Sequence, residues 1–368
     1  MSKPEISIDG VLFTQDELAQ QARDMLATDG LEPEGRAFYG FIQRWLDAGD
    51  DIEIRTSGST GPPKSYRVRK SAMTASAKAT EAFFKYRTGD NLLLCLSADY
   101  IAGKMMIVRA LTSGCNLVTV PVSANPLSSL QSQANIEFAA MVPLQIQTLM
   151  DLSRKHEAAI AKLGSIKKLL VGGSQVNDRQ AQFLANLPCT CYESYGMTET
   201  LTHIAVRRIT PDPERRTFTA LPGVSVAVDA RGCLSISVAH LDIRNLATND
   251  LAKVISPGEF EITGRLDNVI NTGGVKVSPE QVENKLQQLY PDVRFIIFPM
   301  ADDKFQNMVV LLIESREEKP SLEDIRRKAA GVLQPYEMPR KIFYADKFSY
   351  TSSGKIKRQE TLDRAAIS

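Results

Sequence analysis

The sequence is poor in the residues that build metal centres and disulfide frameworks. Its three histidines, His156, His203 and His240, show no ligand spacing, and neither do its five cysteines, Cys95, Cys115, Cys189, Cys191 and Cys233. Cys189 and Cys191 form a C-x-C without a matching pair, and an odd number of cysteines scattered through apolar runs reads as reduced core residues. Charge of one sign is also missing. Forty-four Lys and Arg balance 43 Asp and Glu, for a net charge of +1, and neither a basic stripe nor a polybasic tail is present. That excludes a nucleic-acid or membrane-surface protein. The most apolar stretch, Leu92 to Leu111, is interrupted by Asp99, Lys104 and Arg109, so no membrane span is expected. Met1 to Gly10 is polar and mixed in charge, unlike a signal peptide, and the expected location is cytoplasmic.

What is present is a chain of 368 residues, long enough for two domains and a substantial core. Helical patterns at Gln15–Ala27 and Glu34–Ala48 lead into apolar runs at Leu92–Leu96, Leu117–Val120, Phe138–Val142, Ile166–Val171 and Cys189–Ser194. Helical segments such as Pro143–Lys155 and Asn177–Asn186 separate them. Continuous apolar runs alternating with helices predict an α/β fold with a mostly parallel sheet covered on both faces. Phe218 to Ile262 has shorter alternating runs with turn residues at Pro222-Gly223 and Arg231-Gly232, which predict a small antiparallel β region. Beyond about Leu266 the order changes to a helix with Ser278 as N-cap and Pro279 at its first position, then strands at Val293–Phe298 and Met308–Ile313. A helix near Leu322–Leu333 and a strand at Lys341–Tyr344 follow. This order predicts a smaller α+β domain at 266–368 behind a larger one at 1–265.

Five short segments carry the chemistry. The run Arg55-Thr56-Ser57-Gly58-Ser59-Thr60-Gly61-Pro62-Pro63-Lys64 concentrates hydroxyls and glycines before a lysine, so that N–H groups and hydroxyls can turn toward a polyanion. It is not a Walker P-loop, because Lys64 follows Pro63 rather than glycine; read alone, it could also be a flexible linker. Tyr195-Gly196-Met197-Thr198-Glu199-Thr200 follows a predicted strand, and so lies where open α/β sheets bind ligands. There a ring can stack on a base, a hydroxyl can reach a phosphate and a carboxylate can hold a divalent metal. An ordinary turn and capped helix would look the same. Asp250, in Ala247-Thr248-Asn249-Asp250, and Arg265-Leu266-Asp267 sit in turn-like surroundings; a carboxylate there suits ribose hydroxyls, and a surface charge suits it equally. Thr351-Ser352-Ser353-Gly354-Lys355-Ile356-Lys357-Arg358 places a lysine in a glycine-containing tail, a setting in which lysines are commonly just solvated.

Taken together and in this order, these segments resemble the adenylate-forming superfamily of acyl- and aryl-CoA synthetases, from about Arg55 to Arg358. By that resemblance Thr56–Lys64 is its phosphate loop, with Thr56, Ser57, Gly58, Ser59, Thr60, Gly61 and Lys64 as contacts. Tyr195 stacks on adenine beside Gly196, opposite Gly172-Gly173-Ser174. Asp250 and Arg265 hold the ribose, Thr198 contacts phosphate and Glu199 holds Mg²⁺. The run from Gly264 to Val277 supplies the hinge at Asp267 and the CoA-facing Gly273-Gly274 loop, which would make the smaller domain mobile. Lys355 is the catalytic lysine between the substrate carboxylate and the α-phosphate. The implied reaction uses ATP, Mg²⁺ and CoA on a small carboxylic acid, first forming an acyl-adenylate and then a thioester.

The chain departs from the family in three places. Only about fifty-five residues precede the phosphate loop, so the N-terminal portion reads as truncated. Tyr100 stands where the family has a histidine, and Asn249 where it has a glycine before Asp250. Tyr100, Lys104, Thr200 and His203 are the expected substrate contacts, with Lys104 facing a second carboxylate or else turned to solvent. Within the superfamily the chain resembles the branch that ligates o-succinylbenzoate to CoA in menaquinone biosynthesis. Another aryl- or acyl-CoA ligase, an enzyme loading a carrier protein, or a nucleotide-binding scaffold without catalysis are the alternatives.

Overall fold

The computed structural model describes residues 5–55, 65–131, 134–153, 162–212, 216–291, 293–314, 319–350 and 356–365. Contacts group the chain into two compact units, one of residues 1–176, 180–225 and 237–244, the other of 177–179, 226–236 and 245–368. This grouping places residues 245–265 with the C-terminal residues. The element order draws the border between 265 and 266.

In the first unit a hairpin, β1 (Ile6–Ile8) and β2 (Val11–Phe13), precedes helices α1 (Gln15–Leu26) and α2 (Pro33–Leu46). Thr14 starts α1 with a reciprocal cap: its hydroxyl accepts from Glu17 N, and the Glu17 carboxylate accepts from Thr14 N at 2.7 Å. Strands β3 (Asp51–Arg55) and β4 (Ser65–Arg69) pair antiparallel from Asp51↔Arg69 to Arg55↔Ser65 and lead into α3 (Lys70–Phe84). The apolar runs then become β5 (Asn91–Leu94), β6 (Asn116–Thr119), β7 (Ile136–Met141), β8 (Ile166–Val171) and β9 (Thr190–Gly196). Helices α4 (Ile101–Ser113), α5 (Pro143–Ser153) and α6 (Asp178–Ala185) lie between them in the chain. Strands run in the order β1-β6-β5-β7-β8-β9, and every pairing along it is parallel. Beyond β9 the direction reverses, with β10 (His203–Arg208) antiparallel to β9 and β11 (Phe218–Ala220) antiparallel to β10.

Two apolar clusters belong to this unit. One gathers Phe41, Met73, Phe84, Leu92, Met105 and Phe138, the other Leu93, Met141, Ile146, Leu169, Val171 and Leu184. Neighbours Leu92 and Leu93 on β5 enter different clusters, as the two-residue period of a strand buried on both faces requires.

The remaining strands are β12 (Val224–Val228), β13 (Cys233–Val238), β14 (Ile243–Ser256) and β15 (Glu259–Arg265), the last two paired antiparallel. Hairpin β16 (Ile270–Thr272) and β17 (Val275–Val277) precedes α7 (Pro279–Leu289). Ser278 is the N-cap residue of α7, as expected, yet its hydroxyl caps nothing. It donates instead to Thr263 O at 3.2 Å and meets the Glu280 carboxylate at 3.1 Å. A three-stranded sheet of β18 (Arg294–Asp302), β19 (Gln306–Glu314) and β20 (Lys341–Ala345) follows, with α8 (Leu322–Ala329) and α9 (Arg358–Arg364). Its two faces build separate clusters: Val282, Leu286, Val309, Leu311 and Ile325 on one, and Ile296, Phe298, Val310, Leu312 and Phe348 on the other. Among the described residues no helix is long and apolar enough to cross a membrane.

Candidate active site

In the first unit the carboxyl ends of two neighbouring parallel strands bring two expected segments together. Val171 pairs with Glu193 at the end of the β8–β9 ladder, so Gly172-Gly173-Ser174 leaves the sheet beside Ser194-Tyr195-Gly196, the last residues of β9. Gly173 has φ of +90°, and a Cβ on Gly172 would lie 2.0 Å from Ser194 Oγ. Only a glycine turn lets the first segment pass so close to the second. Tyr195 is still within β9, half-buried, with its ring tilted against Phe218 at 5.8 Å. Beneath it Glu193 is buried; its carboxylate accepts from Val176 N at 3.0 Å and pairs with Arg207. Two buried bonds from one carboxylate thus tie the loop after β8 to β9 and β10.

Thr198–Thr200 forms one 3₁₀ turn rather than the start of a helix, and closes into a γ-turn with positive φ. Thr202 N donates to Thr200 O at 2.7 Å around Leu201, whose φ and ψ are +66° and −51°. Such a turn is rare and strained; Leu201 is held in it by burial of its side chain. The turn leaves Glu199 exposed and Thr198 half-buried at the end of the sheet. Thr200 is 1% exposed, and its hydroxyl bonds with the backbone of Met197 and Thr202. It supports the turn, and the substrate contact expected of it has no free face here.

Gly196 is the tight point of this arrangement. A Cβ there would meet Thr202 O at 2.4 Å and His203 Cα at 2.6 Å, both backbone atoms that cannot rotate away. Gly196→Ala is therefore expected to destabilise the protein by about 1–3 kcal/mol and to weaken nucleotide binding. Urea unfolding and ATP titration of the variant check this, and wild-type values in both would contradict the crowding.

His203, expected near the acid, is 7% exposed and enclosed by Thr80, Thr202 and Arg109. Arg109 Nη2 approaches Nδ1 at 3.4 Å, and a guanidinium can only donate, so Nδ1 is the acceptor. The proton then sits on Nε2, 3.5 Å from Thr80 Oγ1, whose hydroxyl donates to Ser76 O. Burial, and then the charge of Arg109, hold the imidazole well below its ordinary value of 6.5. An unfolded chain takes up a proton here below pH 6.5 that the folded chain refuses. Stability from this group is therefore lost as pH falls below 6.5, with a slope of at most about 1.4 kcal/mol per pH unit. Urea unfolding at several pH values between 7.5 and 5 should show a steeper decline for the wild type than for His203→Gln; parallel curves would contradict the assignment.

Arg109 itself drew no attention in the sequence beyond breaking an apolar run. It is 2% exposed on α4, with Met106 Sδ, Thr202 Oγ1 and His203 Nδ1 within 3.4 Å. Among the described residues it has no carboxylate partner, and its Nε has no hydrogen bond. The Tyr86 hydroxyl, likewise buried, has none either. Burial pulls the guanidinium down to about 10, so it is still charged at neutral pH. Phe84, Phe138 and Tyr192 wall the same region, Phe84 lying 4.7 Å from Phe138 and 6.5 Å from His203 between ring centres. The signal that could have found it is helical: Gly103 to Ala110 is buried at every position, so a charge among them must meet something other than water.

Lys104, expected to face a second carboxylate or else solvent, is turned inward at the start of α4. It is 5% exposed and its Nζ donates at 2.6 Å to both Ala98 O and Asp99 O, bracing the turn before α4. Tyr100 is the N-cap residue of that helix and is 47% exposed.

In the second unit Asp250 and Arg265 stand directly opposite on β14 and β15 and pair at 3.0 Å. Arg265 also reaches Asp267 at 2.7 Å. The turn-like surroundings expected for Asp250 are instead the middle of a 14-residue strand, because Thr248 bonds to Leu234 O and braces Asp250 N. Asn249 consequently needs no turn geometry. Asp267 occupies a 3₁₀ turn, Leu266–Asn268, with Asn268 bonded to Glu280. Gly273 and Gly274, with φ of +57° and +83°, form the two-residue turn of the β16–β17 hairpin. Positive φ at both positions is what such a turn demands. Gly273 N donates to Phe305 O at 2.9 Å. Thr56, Ser57, Gly58, Ser59, Thr60, Gly61, Lys64 and Lys355 lie outside the described residues.

Known proteins resemble this chain. The family model described as AMP-binding enzyme matches residues 54–234, which include the phosphate-loop segment, Gly172–Ser174 and Tyr195–Thr200. A crystal structure described as an acyl-CoA synthetase (AMP-forming)/AMP-acid ligase II-like protein, from Dyadobacter fermentans, is 32% identical. The match covers 94% of this chain and 98% of that one, with a TM-score of 0.61. The chain belongs to the AMP-binding enzyme family. As such it is an acid–thiol ligase of the adenylate-forming kind. A probable 2-succinylbenzoate–CoA ligase of Mycobacterium tuberculosis is 29% identical over 344 residues, covering 86% of this chain and 85% of that protein. The o-succinylbenzoate CoA synthetase of Bacillus subtilis, solved with its acyl-adenylate intermediate, shares the fold at a TM-score of 0.76 and 15% identity, covering 98% and 95%.

Proposed function

We propose that this AMP-binding enzyme converts o-succinylbenzoate, ATP and CoA into o-succinylbenzoyl-CoA, AMP and diphosphate. The observation that carries the choice of acid is Arg109: a buried, charged guanidinium without a carboxylate partner among the described residues, beside a neutral imidazole. A second negative charge on the acid would complete it, and the aromatic wall of Phe84, Phe138 and Tyr192 suits a benzoate ring. In this reading the second carboxylate meets Arg109, while Lys104 donates to Ala98 O and Asp99 O. The 2-succinylbenzoate–CoA ligase relative supports the same acid.

In this reading Tyr195 and Gly172-Gly173-Ser174 flank the adenine, Asp250 and Arg265 meet the ribose, and Thr56, Ser57, Thr60 and Thr198 contact the phosphates. Glu199, an exposed carboxylate at the end of the sheet, fits a hard divalent cation and would hold Mg²⁺, which offsets phosphate charge when bound. Lys355 neutralises the repulsion between the attacking carboxylate and the α-phosphate, so that the succinyl carboxylate displaces diphosphate. The smaller domain then turns about Asp267, and the Gly273-Gly274 loop faces the CoA thiol, which displaces AMP.

The deciding assay is pyrophosphate release with ATP, Mg²⁺ and CoA against o-succinylbenzoate, benzoate, phenylacetate, malonate, a medium-chain fatty acid and no acid. Release selective for o-succinylbenzoate, with its CoA thioester as product, is expected. Preference for malonate would keep the double charge and reject the aromatic ring, and preference for a monocarboxylate would reject both.

A further inference from the structure

We propose that Glu314 and Glu283 are positioning residues for the adenylation step, each fixing one flank of the segment 351–355 that carries Lys355. The inference rests on the role given to Lys355 above. The flanks meet each other: Tyr350 and Ile356 form an antiparallel bridge, and Lys357 N donates to Ser349 O at 2.9 Å. Apolar contact alone, from Phe348, Tyr350 and Ile356 against Ile296, Val310 and Leu312, would let this pair slide across the sheet. Two carboxylates prevent that.

On the leading flank Glu314, with a side chain 1% exposed, accepts from Phe348 N at 3.0 Å and from the Tyr350 hydroxyl at 3.1 Å. Arg294 donates to the same hydroxyl at 2.8 Å and covers the Tyr350 ring. On the trailing flank the Arg358 guanidinium pairs with Glu283 and donates to Ile297 O at 3.1 Å, while Glu283 accepts from Ile297 N at 2.6 Å. Glu283 is on α7 and Ile297 on β18, so Arg358 is registered against a helix and a strand at once. These are charge-assisted bonds with directional geometry. They register the residues on either side of 351–355 on the sheet, and a displacement of about 1 Å in a reacting group can cost on the order of 10²-fold in rate.

The test separates the two half-reactions in full-length protein, with o-succinylbenzoate or whichever acid the panel selects. Glu314→Leu and Glu283→Gln should each lower kcat for pyrophosphate release by on the order of 10²-fold, with the KM for ATP retained. Thioester formation from supplied acyl-adenylate, which does not use Lys355, should stay at the wild-type rate. Tyr350→Phe removes one hydroxyl and keeps the ring, so it tests the leading flank in a protein that folds; a smaller loss, again confined to pyrophosphate release, is expected. Equal loss of both half-reactions, or no loss in any variant, would overturn the proposal. Lys355→Ala run alongside tells the two readings apart: if it retains pyrophosphate release, the role of Lys355 falls and the positioning role with it. If Lys355→Ala is inactive while the flank variants are normal, only the positioning role falls.

Discussion

Lys355→Ala is expected to lower pyrophosphate release by roughly 10²–10³-fold, the loss that follows removal of one preorganised electrostatic contact worth about 3–4 kcal/mol of barrier. The reasoning is electrostatic. A carboxylate approaching an α-phosphate brings two anions together, and an ammonium already in place stabilises the charge that builds between them. Thioester formation has no such need, since a thiol attacks an acyl-adenylate whose leaving group is already activated. The variant should therefore convert supplied acyl-adenylate and CoA to thioester at nearly the wild-type rate. Measuring both half-reactions on one preparation decides the matter; parallel loss would assign Lys355 to folding or domain closure rather than to adenylation.

Arg109→Met should raise the KM for o-succinylbenzoate by roughly 10- to 100-fold, from the 1.5–3 kcal/mol that a hydrogen bond to a charged group contributes. Activity with benzoate or a fatty acid, low at the outset, should change little or improve. Stability gives an independent reading. Arg109 is buried without a carboxylate partner among the described residues, and exchanging a buried charge for an apolar side chain of similar volume is commonly neutral or stabilising. The melting temperature of the variant should accordingly hold or rise. A fall in melting temperature with an unchanged KM would make Arg109 a structural residue and leave the choice of acid without its main support.

Much of the architecture was legible in the sequence because its signals are local. The runs Leu92–Leu96, Phe138–Val142 and Ile166–Val171 mark the strands Asn91–Leu94, Ile136–Met141 and Ile166–Val171 of a sheet buried on both faces, and such strands read as unbroken apolar runs whatever their neighbours do. Gly273-Gly274 reads as a tight turn because few other residues tolerate positive φ at two successive positions. The order of the phosphate-loop, Tyr195–Thr200 and Lys355 segments is likewise a property of the chain alone, and it carries the family. Asp250 was misread because a 14-residue strand with bulges has no clean alternation, and its Asn and Asp resemble turn residues.

Only the tertiary structure could decide which charges are answered. Lys104 and Arg109 lie five positions apart on one helix and look equivalent as letters. One ends on two carbonyls of a preceding turn, the other on an imidazole and a thioether. The proton on His203 Nε2, the strain at Leu201 and the pairing of Glu283 with Arg358 across 75 positions also depend on packing partners distant in sequence. Composition and period determined the sheet and the helices, which follow from each residue's own preferences and its near neighbours, and the ordered motifs carried the resemblance to the family. The surroundings of Arg109 were decided in three dimensions, because a buried charge is defined by the counter-charge it lacks, and that is a fact about space.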